Sequence, residues 1–141
     1  MQRSAAFFPA FAVLALATSA VAQPVRLPLD HEAVIGGIGV ACTGIGQTKN
    51  DPKWLAYDVR VEFADASSAY LAGEDLTLSG AGGQLLSVSC EGPWVLLKLP
   101  TGQAYQVEAR VTQPGVASRT STVTAPSHGQ ARFVLTFPDA H

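Results

Sequence analysis

The residues that most resemble a ligand-binding motif lie in a glycine-rich stretch, GGIGVACTGIGQTK, at residues 36–49. Glycine-rich turns followed by a lysine bind nucleotide phosphates through backbone N–H groups and the lysine ammonium. Two glycines of the stretch have the spacing of such a loop, but Ile45 stands where the lysine is required. A dinucleotide fingerprint fails as well, because Cys42 or Lys49 stands at its third glycine. The stretch therefore predicts no nucleotide site, and we expect no cofactor.

Acids, serines and histidines are not spaced as a catalytic or metal site. Glu74 and Asp75 are adjacent in a strand pattern, so they face opposite sides and we expect two solvated acids at a strand start. No G-x-S-x-G segment holds a nucleophilic serine. The histidines, His31, His128 and His141, lack the two-residue spacing that places two metal ligands on one face of a strand. We expect no catalytic residue and no metal site.

Aromatic side chains are the remaining candidates for a binding site. Exposed tryptophan and tyrosine rings provide flat platforms for sugar rings. Trp54 lies at a strand entrance and Tyr70 follows a short polar run, so we expect both to be exposed and name them as ligand-binding candidates. Trp94 follows a proline corner and alternates with Leu96, and we expect it in the core, because aromatic residues dominate such cores.

The amino-terminal residues have the layout of a secretory signal. Arg3 precedes an apolar run over residues 5–18, and the small residues at 20 and 22 fit a cleavage site after Ala22. An uncleaved membrane anchor is the alternative, but Pro9 interrupts the apolar run. We expect a signal peptide at 1–22, no membrane span after cleavage, and a periplasmic or secreted protein.

Charge and cysteine content narrow the partners and the compartment further. The net charge is −2 and no run of lysine or arginine occurs, which argues against nucleic acid and anionic membrane surfaces as partners. Two cysteines in an exported chain favour one disulfide over a metal or redox pair. Cys90 shares a face with the inward residues Leu86 and Val88, so we predict a Cys42–Cys90 disulfide. Two buried free thiols are the alternative.

The elements that must position these residues are strands. Segments such as AYDVRVEFA, AYQVEARVT and RFVLTF alternate apolar and polar residues, the period of a half-buried strand. Glycine and proline corners recur about every 8–12 residues, which indicates an all-β, immunoglobulin-like antiparallel sandwich. We count seven strands after Trp54 and an eighth within AVIGGIGVA. The expected boundaries are an extended leader at 23–32 and one sandwich domain at 33–141.

One expected strand has the composition of a sheet edge. Residues 117–125, ASRTSTVTA, contain mostly small polar side chains. An edge strand has unpaired backbone groups and could accept a strand from a partner. An ordinary solvated edge is the alternative.

Residues 70–107, YLAGEDLTLSGAGGQLLSVSCEGPWVLLKLPTGQAYQV, carry a family resemblance. A strand, a glycine turn, a second strand, an acidic-Gly-Pro corner and a Leu-Pro-x-Gly segment precede Tyr105 and Val107. This pattern resembles the carboxypeptidase regulatory-like domain, a transthyretin-like (prealbumin-like) β-sandwich, in its small exported bacterial form. The resemblance spans about residues 35–137. Tyr105 lies one residue later than in the family pattern, which affects the detail of one turn.

The resemblance implies an accessory, non-catalytic domain. The transthyretin-like fold has a catalytic branch, 5-hydroxyisourate hydrolase, whose chain ends in Tyr-Arg-Gly-Ser, but this chain ends in FVLTFPDAH and matches none of it. We expect a non-catalytic exported binding or interaction module of the periplasm or cell envelope, with an envelope protein or glycan as its partner. A carbohydrate-binding module that uses Trp54 and Tyr70 is the alternative, and an enzyme of the transthyretin-like hydrolase type is a distant third.

Overall fold

The computed structural model describes residue 2, residues 4–14 and residues 23–141. The expected cleavage point after Ala22 lies outside these described residues. Within them, no helix is long and apolar enough to cross a membrane. The described residues form ten strands in two sheets, with two short 3-10 segments at Gln47–Asn50 and Pro52–Ala56. The strands are β1 Val25–Leu27, β2 His31–Ile35, β3 Ile38–Thr43, β4 Val59–Asp65, β5 Glu74–Gly80, β6 Gly83–Cys90, β7 Trp94–Leu97, β8 Ala104–Val111, β9 Arg119–Thr124 and β10 Ala131–Phe137.

The two sheets contain five strands each and form the predicted all-β sandwich. Sheet A has the order β1-β6-β5-β8-β9, and sheet B has the order β10-β4-β7-β3-β2. Six neighbouring pairs are antiparallel, but β1 pairs with β6 and β10 pairs with β4 in parallel, which departs from the purely antiparallel expectation. Neither β1 nor β10 is joined to its partner strand by a short hairpin. The antiparallel direction that a short hairpin imposes therefore does not apply to these two pairs.

The glycine-rich stretch forms a hairpin where one strand was expected. β2 and β3 pair through Ile35 and Ile38, and Gly36 and Gly37 form the turn with φ values of 57° and 79°. Two successive positive φ angles suit glycine in a tight hairpin turn. Strand pairing also begins earlier than expected, because β1 and the first residues of β2 lie within the 23–32 segment. Seven strands follow Trp54, as predicted.

A disulfide crosses the core and joins the sheets. Cys42 lies in β3 of sheet B and Cys90 is the last residue of β6 of sheet A; the two are bonded, with their Cα atoms 5.6 Å apart. The predicted Cys42–Cys90 pair is confirmed. Both cysteines belong to the apolar core between the sheets. The chain passes so close behind the bridge that a Cβ at Gly92 would clash with the carbonyl oxygen of Thr43, while the Gly92 N–H donates to Cys42 Sγ at 3.1 Å.

Candidate functional site

The outer face of sheet B carries a second, smaller apolar cluster. After β3 the chain folds back through the two 3-10 segments, and Trp54 and Tyr57 pack against Ala41 of β3 and Leu96 of β7. Asp51 caps the second segment by accepting a hydrogen bond from the backbone N–H of Lys53 at 3.0 Å. Pro52 begins that segment, where its fixed φ favours a helical turn. Residues 44–57 therefore cover part of a face that strand alternation marks as solvent-exposed.

Trp54 is buried, so the expectation that it presents an open face is wrong. Only 3% of the residue is exposed. Its Nε1 donates to the carbonyl oxygen of Thr48 at 2.7 Å. Gln130, in the loop between β9 and β10, holds the segment in place. Its Nε2 donates to the carbonyl oxygens of Trp54 and Tyr57 at 2.9 and 3.0 Å. The indole stabilises the covering segment instead of projecting as a platform.

A cavity of about 230 Å³ remains between this segment and sheet B, and we call it the indole cavity. Trp54, Trp94 and Leu96 form its apolar wall, and Lys49, Asn50, Asp51, Leu55, Arg60 and Gln130 form the rest. Trp94 is 8% exposed and lies on the outer face of β7, apart from the core between the sheets. Trp94 is thus buried, but the expectation that it belongs to the main core is wrong. Its buried Nε1 has no hydrogen-bond partner within the described residues.

Tyr70 lies on the other side of Trp94. Its ring meets the Trp94 ring edge-on, with centroids 6.1 Å apart and an interplanar angle of 84°. Tyr70 is 45% exposed, in line with the expectation that it faces solvent. Asp65 shapes the turn before it by accepting hydrogen bonds from Ser67 and Ala69. The two aromatic candidates, Trp54 and Tyr70, therefore lie on one face of sheet B with Trp94 between them.

A buried carboxylate organises the charges beside Trp94. Glu62 of β4 is fully buried and accepts hydrogen bonds from Arg132 of β10 and, at 2.7 Å, from the Tyr70 hydroxyl. Arg60 Nε lies 2.9 Å from Glu62 Oε2, outside hydrogen-bond geometry. Burial raises the pKa of the Glu62 carboxyl, but the hydrogen bonds from Arg132 and Tyr70 and the two arginine charges outweigh it, so the pKa lies below its ordinary value. Glu62 is therefore ionised and holds Arg60 in place.

Cations lie over the aromatic rings of this face. Arg60 Cζ is 4.3 Å from the Trp94 ring centroid, and Lys53 Nζ is 4.5 Å from that of Trp54. Lys98 Nζ is 4.9 Å from the ring of Tyr57, whose hydroxyl donates to Glu32 at 2.7 Å. A cation within about 6 Å of a ring is attracted by the ring's quadrupole. One face of each of these three rings is therefore occupied within the protein itself.

Glu74 is the second buried carboxyl group, and the expectation that it is a solvated acid is wrong. It begins β5 on the inward face, opposite Cys90 of β6 and Val111 of β8, and it is fully buried. Neither carboxyl oxygen has a hydrogen-bond partner among the described residues. Burial, aided by the charge of Asp75, raises the pKa of Glu74 to about 10. Glu74 is therefore a neutral acid inside the sandwich at neutral pH.

Two further predictions concern metal ligands and the sheet edge. Across residues 4–14 and 23–141, no three His, Cys, Asp or Glu side chains are grouped so that they could hold a metal ion. β9 lies at the end of sheet A and pairs with β8 alone, so the edge position predicted for 117–125 is confirmed. Binding of a partner strand at this edge stays a prediction.

Comparison with known protein families finds no family that matches this chain, and no curated protein matches it either. The resemblance to the carboxypeptidase regulatory-like domain therefore stays a prediction.

Proposed function

We propose that this chain is a non-catalytic exported binding module of the periplasm or cell envelope, and that the indole cavity is its ligand site. The family resemblance supports a non-catalytic role, since domains of that type accompany enzymes as accessories. The disulfide supports export, because disulfides persist in oxidising compartments. Fold alone does not define a function, so the proposal depends on the site.

The observation that carries the proposal is the unpaired Nε1 of Trp94. Buried polar groups in native proteins are almost always hydrogen-bonded, and leaving one unpaired costs about 1–3 kcal/mol. Trp94, whose indole N–H is buried and unpaired, lines a cavity that also has charged groups in its lining. A ligand with an acceptor atom would satisfy the donor. The other indole of the cavity, Trp54, already donates to Thr48.

The two indole N–H groups provide the test. Each tryptophan gives its own indole resonance in a ¹⁵N–¹H spectrum, and Trp94→Phe and Trp54→Phe assign them. Residues 23–141 are titrated with a panel of envelope oligosaccharides, monosaccharides and small carboxylates. We expect at least one compound to shift the Trp94 resonance in a saturable way, with a smaller shift for Trp54. Trp94→Phe should weaken the binding more than Trp54→Phe, since the Trp54 N–H already has a partner in Thr48, although Trp54→Phe should be the less stable protein.

If no compound moves the Trp94 resonance, the cavity is not a ligand site and this proposal is wrong. If an envelope protein binds and shifts only β9 amides, the chain is an interaction module that uses its sheet edge.

A carbohydrate-binding module is the second candidate function. The supporting observation is that Tyr70 exposes 45% of its surface beside Trp94, at the rim of the same face. A sugar ring that stacks on Tyr70 loses its platform in Tyr70→Ala but not in Leu55→Ala, which removes a more exposed apolar side chain from the cavity lining. Equal loss of glycan binding in both variants would contradict stacking on Tyr70.

A further inference from the structure

Most of the charged groups around the indole cavity are donors, and the amides of Asn50 and Gln130 add groups that both donate and accept. Trp94 Nε1 is buried and unpaired, and Arg60 Nε lies outside hydrogen-bond geometry with Glu62. Lys49 forms no salt bridge with any residue that the structure describes. Against these donors stands one carboxylate, Asp51, and one of its oxygens already accepts from the Lys53 backbone. The charged groups of the lining therefore favour a ligand that carries acceptor atoms.

The charge of the cavity points the same way. Lys49 and Arg60 are positive and Asp51 is negative, so the lining has an excess of one positive charge. Glu62 does not cancel it, because that buried carboxylate is shared between Arg60 and Arg132. The chain as a whole has a net charge of −2, so this is a local basic site on an acidic protein.

The covered aromatic faces argue against a neutral sugar as the principal ligand. Lys53 lies over the Trp54 ring and Arg60 over the Trp94 ring, so a sugar that stacks on either of those faces must displace a cation. The cavity volume of about 230 Å³ is smaller than that of typical sites for drug-sized ligands, which measure about 300–1,000 Å³. A single ring or a smaller molecule fits this space.

We propose that the indole cavity binds a small organic carboxylate of one ring or less, which pairs with the charges of Arg60 and Lys49 beside the Trp94 ring. This inference rests on the proposed function and names the ligand class for the same site. Charge-assisted hydrogen bonds are roughly twice as strong as neutral ones, which gives a carboxylate its advantage over a hydroxyl. A uronic acid of an envelope glycan and a free ring carboxylate share this chemistry.

The test is calorimetric titration of residues 23–141 with D-galacturonate, D-galactose and benzoate. We expect at least one carboxylate to bind, and galactose to bind at least about tenfold more weakly, the equivalent of about 1.4 kcal/mol. Stronger binding of galacturonate identifies an acidic sugar as the source, and stronger binding of benzoate identifies a non-sugar acid. Binding of the carboxylate should weaken as salt is added, because ions screen an exposed charge pair.

Lys49→Gln and Lys98→Gln form a matched pair of variants, because each removes one lysine from the same face and only Lys49 lines the cavity. We expect Lys49→Gln to weaken carboxylate binding by about threefold or more and Lys98→Gln to leave it unchanged. Equal effects of the two would contradict a site at the cavity.

Galactose binding as tight as galacturonate binding would overturn the carboxylate inference and leave the binding module intact. If other panel compounds shift the Trp94 resonance while galacturonate and benzoate both fail to bind, the carboxylate inference is likewise wrong and the binding module stands. If nothing shifts it, the proposed function itself is wrong.

Discussion

At the scale of single residues, two buried carboxyl groups behave in opposite ways. Glu62 is surrounded by Arg60, Arg132 and Tyr70, so it is ionised and its pKa lies below the ordinary value. Glu74 has no partner and keeps its proton, with a pKa raised to about 10. Both groups lie on strands with alternating patterns, so the alternation alone does not explain their opposite pKa shifts. The shifts differ because Glu62 faces arginines and a tyrosine on the outer face, whereas Glu74 faces the core between the sheets. Glu62 orders the site, whereas Glu74 makes the fold less stable at neutral pH.

The Glu74 carboxyl should give the free energy of unfolding a pH dependence. The folded protein keeps the proton up to a pH of about 10, but the unfolded chain loses it near its ordinary pKa of about 4.3. Unfolding therefore becomes easier as the pH rises between these two values. Glu74→Gln removes this dependence and should raise the free energy of unfolding at pH 7 by on the order of 2 kcal/mol. Urea unfolding at pH 5, 7 and 9 measures it.

Glu108→Gln is the matched control, because Glu108 lies on β8 with half of its side chain exposed. It should leave the pH dependence unchanged. If Glu74→Gln loses stability between pH 5 and 9 as steeply as the unsubstituted protein, Glu74 is not the group that titrates.

At the scale of elements, the strands were predictable and the covering segment was not. Period-two alternation and the glycine and proline corners located the strands after Trp54, and β7 was recognised as a central strand because it is apolar on both faces. The stretch AVIGGIGVA has apolar residues on both sides of its glycines, so its pattern did not distinguish one strand from a hairpin. Alternation assigns Arg60 and Glu62 to the outer face but does not show which loop covers that face. That is why the burial of Trp54 and the site around Trp94 escaped sequence analysis.

The edge strand β9 can be tested by proline substitution at two adjacent residues. In an antiparallel edge strand, the N–H groups of neighbouring residues point in opposite directions, one towards β8 and one towards solvent. Of Ser121→Pro and Thr122→Pro, one should break the ladder and lower the melting temperature, and the other should remove only an outward donor. We expect the stable variant to lose proteins that the unsubstituted chain captures from an envelope extract, as identified by mass spectrometry.

Undiminished capture by the stable variant would show that β9 is an ordinary solvated edge. If both variants unfold, the outward N–H groups of β9 are engaged within the molecule, and the edge is not open to a partner.

At the scale of the whole molecule, one covalent link holds the two sheets together. The Cys42–Cys90 bridge closes a loop with a sequence separation of 48. In the chain-entropy model a loop of this size stabilises the fold by about 4 kcal/mol. The Cys42→Ala, Cys90→Ala double variant should lose about that much free energy of unfolding in urea. Two thiols that react with an alkylating agent in the native, unreduced protein would contradict the bridge, and intact mass detects them.

Export is a second prediction for the whole molecule. The apolar run and the small residues at 20 and 22 predict that the mature chain begins at Gln23. Expression in a bacterial host, followed by amino-terminal sequencing of the periplasmic fraction, measures the start of the chain. Met1 retained on a membrane-bound protein would contradict cleavage.

The two parallel strand pairs determine how the molecule carries mechanical load. β1 runs towards the disulfide end of the sandwich, since Leu27 is opposite Cys90. β4 also runs towards that end, because its Glu62 is opposite Trp94, which begins the strand after Cys90. β10 pairs with β4 in parallel and therefore runs the same way. A pull on the two chain ends therefore acts along the strand axes and loads the hydrogen bonds of both terminal pairs together, in shear. The bridge between residues 42 and 90 also limits how far the chain extends once those pairs separate. Tension between the chain ends is therefore borne first by the β1–β6 and β10–β4 hydrogen bonds.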